Sequence, residues 1–422
     1  MARFLHVADV HLGYDRYDNP QRSRDFFWAF QDALQRYAIE AAVDFVLIAG
    51  DLFEHRHIHP ATLNQAQLCL EPLREANIPV LAIEGNHDHC PYGTKTSWLR
   101  YLADWEYLIL LEPDEDAMGD NGLLSPWDPA VHRGGYIDLP CGVRVVGSHW
   151  YGAAAPQMIA KLAAALPNLP PGPDYTVMMF HHGLEGQISR YTGALRYEDL
   201  LPLKQAGVDY LALGHIHKSY AVEGWIFNPG AVEANSVAES RDQISRGVYL
   251  VELNEAGIHA TLQQDYHQRP IVRLTYKADK RQSQVELEQA IVEQVTQLAR
   301  AGATADAIVE LRIQGQIGFS RLDWDLRSLR EQLLTLSRAL ILLLKPDMAD
   351  TAYETYLADT GTGSPPRQVI ERQVFQDLLV AQTQYEDQAD TLTQGLIDLK
   401  ERTLAEQSDA DLYAFVSTLL AS

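Results

Sequence analysis

Five short apolar runs in the first half of this chain each lead into side chains that bind cations. The runs are Phe4–Ala8, Phe45–Ala49, Val80–Ile83, Thr176–Phe180 and Tyr210–Leu213. Each has the length of a strand and is rich in Val, Ile, Leu, Phe or Tyr. The first leads into Asp9-Val10-His11 and the second into Gly50-Asp51. The third leads into Gly85-Asn86-His87-Asp88, the fourth into His181-His182-Gly183, the fifth into Gly214-His215-Ile216-His217. Side chains alternate along extended backbone, so Asp9 and His11 can share a face, and so can His215 and His217. In sheets with crossover connections, ligands gather beyond the carboxyl ends of the strands. The fold must therefore end five strands at one place.

Between these runs lie apolar positions at helical spacing. Phe26, Phe27, Phe30, Leu34 and Tyr37 mark one helix; Leu63, Leu68, Leu70 and Leu73 mark another. Strands alternating with helices predict an α/β core with covered sheet faces. Further strands are expected around Ile226–Phe227, Val248–Leu253 and His259–Gln263, closing a first domain over 1–266. A second unit starts at Arg269-Pro270 and reads strand (Ile271–Tyr276), helix (Gln284–Arg300), strand (Ala307–Ile313), helix (Leu322–Ser337), strand (Ala339–Leu344). This predicts a small α/β module over 269–346. The run Gly361-Thr362-Gly363-Ser364-Pro365-Pro366 reads as a linker. Beyond it, residues 367–422 are expected to be helical, with Val369, Ile370, Val374, Phe375, Leu378 and Leu379 opening an apolar stripe.

With 422 residues, 46% of them hydrophobic, the chain has enough apolar surface for more than one globular domain. No apolar run is long enough to span a bilayer, so no membrane association is expected. The opening Met1-Ala2-Arg3-Phe4-Leu5-His6 reads as a first strand and not as a signal peptide. Cys69, Cys90 and Cys141 have no metal-ligand spacing and point to a reducing compartment, hence a cytoplasmic protein. Charge constrains function more sharply. Lys and Arg total 34 against 57 Asp and Glu, a formal charge of −23. Proteins that grip DNA unaided usually carry a basic face. A DNA-acting chain of this composition needs a local basic track, metal ions facing the phosphates, or a partner that supplies the grip.

Each short motif alone has a bland explanation. Asn-His-Asp after glycine is a common turn, and a single histidine often just packs. Five in order, each closing an apolar run, point to metal. The donors Asp9, His11, Asp51, Asn86, His181 or His182, His215 and His217 are oxygen and nitrogen without thiolate. Such a set suits manganese, iron or zinc better than a structural zinc cage. It is too large for one ion and fits two divalent ions, with Asp51 as the bridging carboxylate. Two metals roughly 3.5–4 Å apart clamp the attacking and leaving oxygens of a displacement at phosphorus. His87 is expected to protonate or stabilise the leaving oxygen, with Asp88 orienting its ring.

The order Asp-x-His, Gly-Asp, Gly-Asn-His-Asp, His, Gly-His-x-His resembles the calcineurin-like metallophosphoesterases over at least Phe4 to His217. The resemblance implies an α/β fold: a two-sheet sandwich flanked by helices, with a small α/β capping domain and a helical C-terminal tail. It implies that Asp9, His11, Asp51 and His217 hold one ion, and that Asp51, Asn86, His181 and His215 hold the other. Within that class the chain is similar to the SbcD-type DNA-repair exonucleases. Phe4-Leu5-His6-Val7-Ala8-Asp9-Val10-His11-Leu12-Gly13, Gly50-Asp51-Leu52-Phe53 and Asn228-Pro229-Gly230-Ala231 carry the likeness. It implies manganese as the metal and DNA as the substrate. It also implies docking of the C-terminal helices on an SMC-like ATPase, and leaves open a homodimer with Phe26–Phe30 near the contact.

The chain departs from that pattern at two places. Glu54 stands where some relatives carry a second catalytic histidine, with His55, His57 and His59 close by. A solvated loop before the Pro60 helix start is the simpler reading of those three. Asn228 replaces the family's tyrosine, and Cys90 fits no ligand role. A small-molecule or cyclic-nucleotide phosphodiesterase with the same dinuclear core is the main alternative, and the acidic charge favours it. A non-catalytic adaptor is a third reading, against which no ligand is missing.

Overall fold

The computed structural model describes residues 1–115, 122–187, 193–241, 245–319, 321, 324–350, 367–380, 385, 388–405 and 407–421. Two six-stranded sheets form its first part. The first has the order β12-β11-β1-β2-β3-β4. Its strands are β1 (Ala2–Val7), β2 (Phe45–Ala49), β3 (Val80–Ile83), β4 (Ile109–Leu110), β11 (Val248–Asn254) and β12 (Gly257–Gln263). The second has the order β5-β6-β7-β8-β10-β9. It comprises β5 (Tyr136–Leu139), β6 (Val143–Val146), β7 (Tyr175–His181), β8 (Tyr210–Gly214), β9 (Tyr220–Val222) and β10 (Ile226–Asn228). Strands β1 to β4 run parallel, as do β6, β7, β8 and β10; antiparallel strands β11, β12, β5 and β9 complete the edges.

Alternation along the strands builds the layers. In β1 and β2, Phe4, Phe45 and Leu47 face the second sheet, while Leu5, Val7, Val46 and Ile48 face the helices outside. In β7 and β8, Val177, Met179, Tyr210 and Ala212 face inward, and Met178, Phe180, Leu211 and Leu213 face outward. Both faces are buried, which is why these strands read as continuous apolar runs. Phe4 stacks on Phe45 at 4.7 Å and meets Tyr210 of the other sheet edge-on at 5.2 Å. One polar link crosses the same layer. The fully buried His6 ring accepts from the Tyr210 hydroxyl at Nδ1 (2.9 Å) and donates from Nε2 to the Leu213 carbonyl (3.0 Å). Burial drives its pKa down to about 3, so the ring is neutral.

Helices α1 (Pro20–Leu34) and α2 (Pro60–Glu75) contribute to the outer core of the first sheet. Proline in the first turn and the Asn19 side chain, which accepts from Gln21 N–H, start α1. The expected α2 stripe needs one correction. Ala66, Leu70 and Leu73 are buried, but Leu68 is 49% exposed. It lies two positions from Leu70, about 200° around the helix.

The chain divides into two compact units, one built on Met1–Arg273 with two short later segments, the other on the rest. The second includes most of a three-stranded sheet, β13 (Ile271–Ala278), β14 (Ile308–Ile317) and β15 (Ile341–Asp350), in that order. Helices Gln284–Arg300 and Leu326–Ser337 pack against each other. The second starts at Leu326, later than the expected Leu322, because the Asp325 carboxylate caps it by accepting from Ser328 N–H. Ser283 and Glu286 form a capping box at the start of the first. Helices Arg367–Val380, Ala389–Leu404 and Asp409–Ala421 pack in sequence, first on second and second on third. The expected linker at 361–366 lies outside the described residues. Among the described residues no helix is long and apolar enough to cross a membrane.

Candidate metal centre

The carboxyl ends of β1, β2 and β3 from one sheet and β7 and β8 from the other bring their donors to one spot. Asp9, His11 and His217 each offer an atom within 4.8 Å of the others. Asp51, His181 and His215 form a second group of the same size, and His11, Glu54 and His87 a third. Asn86 joins through Oδ1, which lies 2.8 Å from His215 Nδ1 and 3.3 Å from His181 Nε2. The backbone pulls the strand ends together: Val10 and His11 N–H both donate to the Asp51 carbonyl, and Asp9 N–H to that of Gly50.

This convergence needs room and unusual backbone. A side chain at Gly85 would meet the Asp51 carboxylate at 2.1 Å, and one at Gly50 the His181 ring at 2.3 Å. Asp9, His11, Asp51 and His215 all have positive φ, between 52° and 87°, a region glycine prefers. Non-glycine residues held there cost about 1–3 kcal/mol each.

Ring orientations are set from behind. His181 donates from Nδ1 to the Ala49 carbonyl (2.8 Å), which turns Nε2 toward Asp51 Oδ2 at 3.1 Å. His182 instead meets the carbonyls of Gly183 and Gly152. Of that pair, His181 faces the centre. His217 Nδ1 lies 3.2 Å from Glu239 Oε1, and His11 Nδ1 lies 2.7 Å from Glu54 Oε2, off the line of a straight hydrogen bond. The two Nε2 atoms then face each other at 3.1 Å. Carboxylates behind imidazoles are the usual support of metal-ligating histidines.

Electrostatics agree with a site for cations. Burial works against the charge on Asp51, yet His181, His11 and His87 hold its carboxyl well below the usual range. Burial also opposes protonation of His181, but Asp51 overcomes this and lifts its pKa to about 9. Burial is likewise outweighed at His217, where Glu239 and Asp9 raise it to about 9; a quarter of that side chain stays exposed, so its charged partners decide the direction. His215 is driven down to about 3 by burial and the neighbouring His181. The centre thus concentrates negative charge where the carboxylates converge. Oxygen and imidazole donors around that charge fit divalent cations.

His87 sits at the rim of this group. Its N–H donates to Asp51 Oδ1 (2.9 Å), and its ring Nδ1 donates to the Glu54 carbonyl (2.6 Å). The expected partner Asp88 is occupied elsewhere, which corrects its role. Its carboxylate accepts from the N–H groups of Leu52 (3.2 Å), Phe53 (3.0 Å) and Gly85 (3.0 Å), tying two of the ligand loops together. Burial and the nearby Asp51 push Asp88 up to about 7.

Two participants escaped the sequence reading. Glu54 was marked only as a departure, and nothing local marked Glu239, on the short helix Val237–Arg241, as a partner of His217. His55, His57 and His59 are exposed, with His55 Nε2 3.4 Å from Asp15 Oδ2. Half-buried Cys90 belongs to none of the donor groups. Asn228 donates to the carbonyls of Ile216 (2.6 Å) and Lys218 (2.8 Å), and so fixes the turn that carries His217.

The sequence profile of the calcineurin-like phosphoesterase family matches residues 2–219. The DNA double-strand break repair protein Mre11 of Archaeoglobus fulgidus is 32% identical over 59% of this chain and 57% of its own. The protein of the same name in Methanosarcina mazei is 41% identical over 61% of this chain and 37% of its own. The uncharacterized metallophosphoesterase YhaO of Bacillus subtilis is 28% identical over 60% of this chain and 58% of its own. The chain spans about half the length of the curated relatives it matches.

Proposed function

Since this chain belongs to the calcineurin-like phosphoesterases, we propose that it hydrolyses phosphodiester bonds in DNA as the nuclease subunit of a repair assembly. The observation that carries this reading is the convergence of Asp9, His11, Asp51, Asn86, His181, His215 and His217 with His87 beside them. Relatives named as double-strand break repair proteins support DNA as the substrate class.

Asp9, His11, Asp51 and His217 are assigned to one divalent ion, and Asp51, Asn86, His181 and His215 to a second, with manganese the metal of choice. Such a pair, when bound, supplies Lewis-acid stabilisation at phosphorus and a nucleophile at neutral pH. The protein's own work is positioning. Glu239 and Glu54 hold the His217 and His11 rings from behind. His87, with Nδ1 committed to the Glu54 carbonyl, presents Nε2 to the leaving oxygen; when protonated, it donates its proton there.

The domain boundaries 1–266, 269–346 and 367–422 are kept as functional assignments: nuclease, capping module and docking helices. The last three helices are assigned to an SMC-like ATPase, which relieves the −23 charge by supplying DNA grip. Deletion beyond Gly361 should then abolish ATPase binding and spare hydrolysis; retained binding relocates the surface. Homodimer formation belongs to the same reading, but Phe26 and Phe30, which could serve either a dimer contact or the core, are fully buried and serve the core.

The test is cleavage of end-labelled linear DNA with manganese, beside bis-p-nitrophenyl phosphate. Hydrolysis of both, lost in Asp51→Asn, is the expected result. The charge favours a second reading, a phosphodiesterase for small molecules or cyclic nucleotides. Hydrolysis of the small diester alone, unchanged by adding a candidate ATPase, selects that reading.

A further inference from the structure

One arm of backbone, residues 231–239, runs between two donors of the metal centre. At its start Ala231 bridges Ala8, and Val232 N–H donates to the Asp9 carbonyl (3.4 Å). At its end Glu239 Oε1 stands 3.2 Å from His217 Nδ1. The other oxygen of Glu239 accepts from Asn235 N–H (3.0 Å), so the arm itself aims the carboxylate. Where the arm lies therefore decides where the His217 ring points.

Side chains from the start of α1 and the loop before it hold this arm down. The Tyr14 hydroxyl donates to the Asn235 carbonyl, and Val237 N–H donates to the Tyr17 hydroxyl (3.2 Å). Tyr17 has a left-handed φ of 72°, which a bulky residue keeps only where its surroundings hold it. Arg22, on α1, donates from Nη2 to the Ala234 carbonyl (2.5 Å) and from Nη1 to Asp25 Oδ2 (2.7 Å). Its side chain is fully buried, as are those of Asp25 and Glu233, whose Oε1 lies 3.7 Å from Arg22 Nη2. Arg269 completes the group, donating from Nε to Asp25 (3.0 Å) and from its backbone N–H to Glu233 (2.8 Å). A buried ion cluster adds little net stability over apolar packing of the same volume. What this one does, through Ala234 and Glu233, is fix the path of the arm.

We propose that Tyr17 and Arg22 are positioning residues of the metal centre, acting through Glu239 on His217. They set the affinity of one of the two ions, the one assigned to Asp9, His11, Asp51 and His217, because both ends of the arm meet donors of that ion. A carboxylate behind a ligating imidazole fixes the orientation and basicity of the ring, and losing it weakens metal binding by about 10–100-fold. An arm that slackens draws Glu239 back and has part of the same effect. The proposal rests on the two-ion reading and adds the residues that hold one half of the centre in place.

The experiment is isothermal titration calorimetry of manganese into the chelator-treated full chain, with a thermal melt of each metal-free variant. The native chain should bind two ions. Tyr17→Phe removes one oxygen and should weaken one ion about tenfold while the other keeps its native affinity. Arg22→Lys keeps the charge beside Asp25 but cannot span both of the arginine's acceptors, and should do the same. Glu239→Ala should weaken that ion by about 10–100-fold, and Tyr17→Phe added to Glu239→Ala should cost nothing further. Should Arg22→Lys lose its cooperative melt, Tyr17→Phe decides. Native affinities for both ions in Tyr17→Phe overturn the proposal. So do two ions weakened alike, which marks general loosening, and a full additional loss in the double variant, which means that Tyr17 does not act through Glu239. A native chain that binds fewer than two ions defeats the two-ion reading itself, and does so before any variant is compared.

Discussion

The Nε2 atoms of His11 and His217, carried by loops that follow strands of different sheets, lie 3.1 Å apart. Glu54 and Glu239 stand against the far nitrogens, so each ring turns its Nε2 toward the other. Two imidazole nitrogens at this spacing need a proton or a cation between them. Manganese at a hundredfold excess over its Kd should therefore stabilise the chelator-treated protein by about 2.7 kcal/mol. For a unit of this size that is a rise of roughly 5–10 °C in Tm. Thermal melts with and without the metal read it. His217→Gln should blunt the response; a native Tm indifferent to manganese refutes the metal assignment.

Asp51 and His87 should separate binding from turnover. Asp51→Asn keeps the shape but loses the charge that faces His181, and should lose metal and activity together. His87→Ala should keep its metal content while turnover falls by about 10²–10⁴-fold. Elemental analysis beside kinetics distinguishes the two. Metal loss in His87→Ala would make His87 a ligand.

Asp88 predicts a stability phenotype. Its carboxylate is the acceptor for three backbone donors. Asp88→Ala leaves them buried without that partner, at a cost of about 1–3 kcal/mol for each. The urea midpoint of the metal-free protein should drop accordingly. An unchanged midpoint would mean that water or a backbone shift replaces the carboxylate.

His6 predicts acid sensitivity. Its folded pKa is about 3 against an ordinary 6.5. Below pH 6.5 the unfolded chain binds a proton that the folded chain refuses. Its contribution is fully present above pH 6.5 and is lost as pH falls toward 3, by about 1.4 kcal/mol per pH unit. Between pH 6.5 and 5, with chelator present, His6→Gln should flatten the decline by about one proton. Equal slopes would show that another group carries it.

The sequence made the site more legible than the sandwich around it. Strands β2 and β3 begin and end where their apolar runs do, because burial on both faces leaves no polar interruption. The two-residue β4 and the half-exposed β5 have no such run and were not anticipated. The candidate donors were legible because each lies at or within a few residues of a strand's carboxyl end. Glu239 was not, because only the fold brings it to a histidine 22 positions away. Asp88 was misread for a related reason: adjacency to His87 suggested a side-chain pair, whereas three N–H groups from two loops take up its oxygens.

The left-handed backbone at Asp9, His11, Asp51 and His215 has a consequence for how such a protein ages under mutation. At each of these positions glycine would relax the chain while removing a ligand. Strain and function therefore pull in opposite directions at the same residues. A lineage released from selection for hydrolysis would gain stability by shedding its metal donors, and would drift toward a sturdier, inert scaffold.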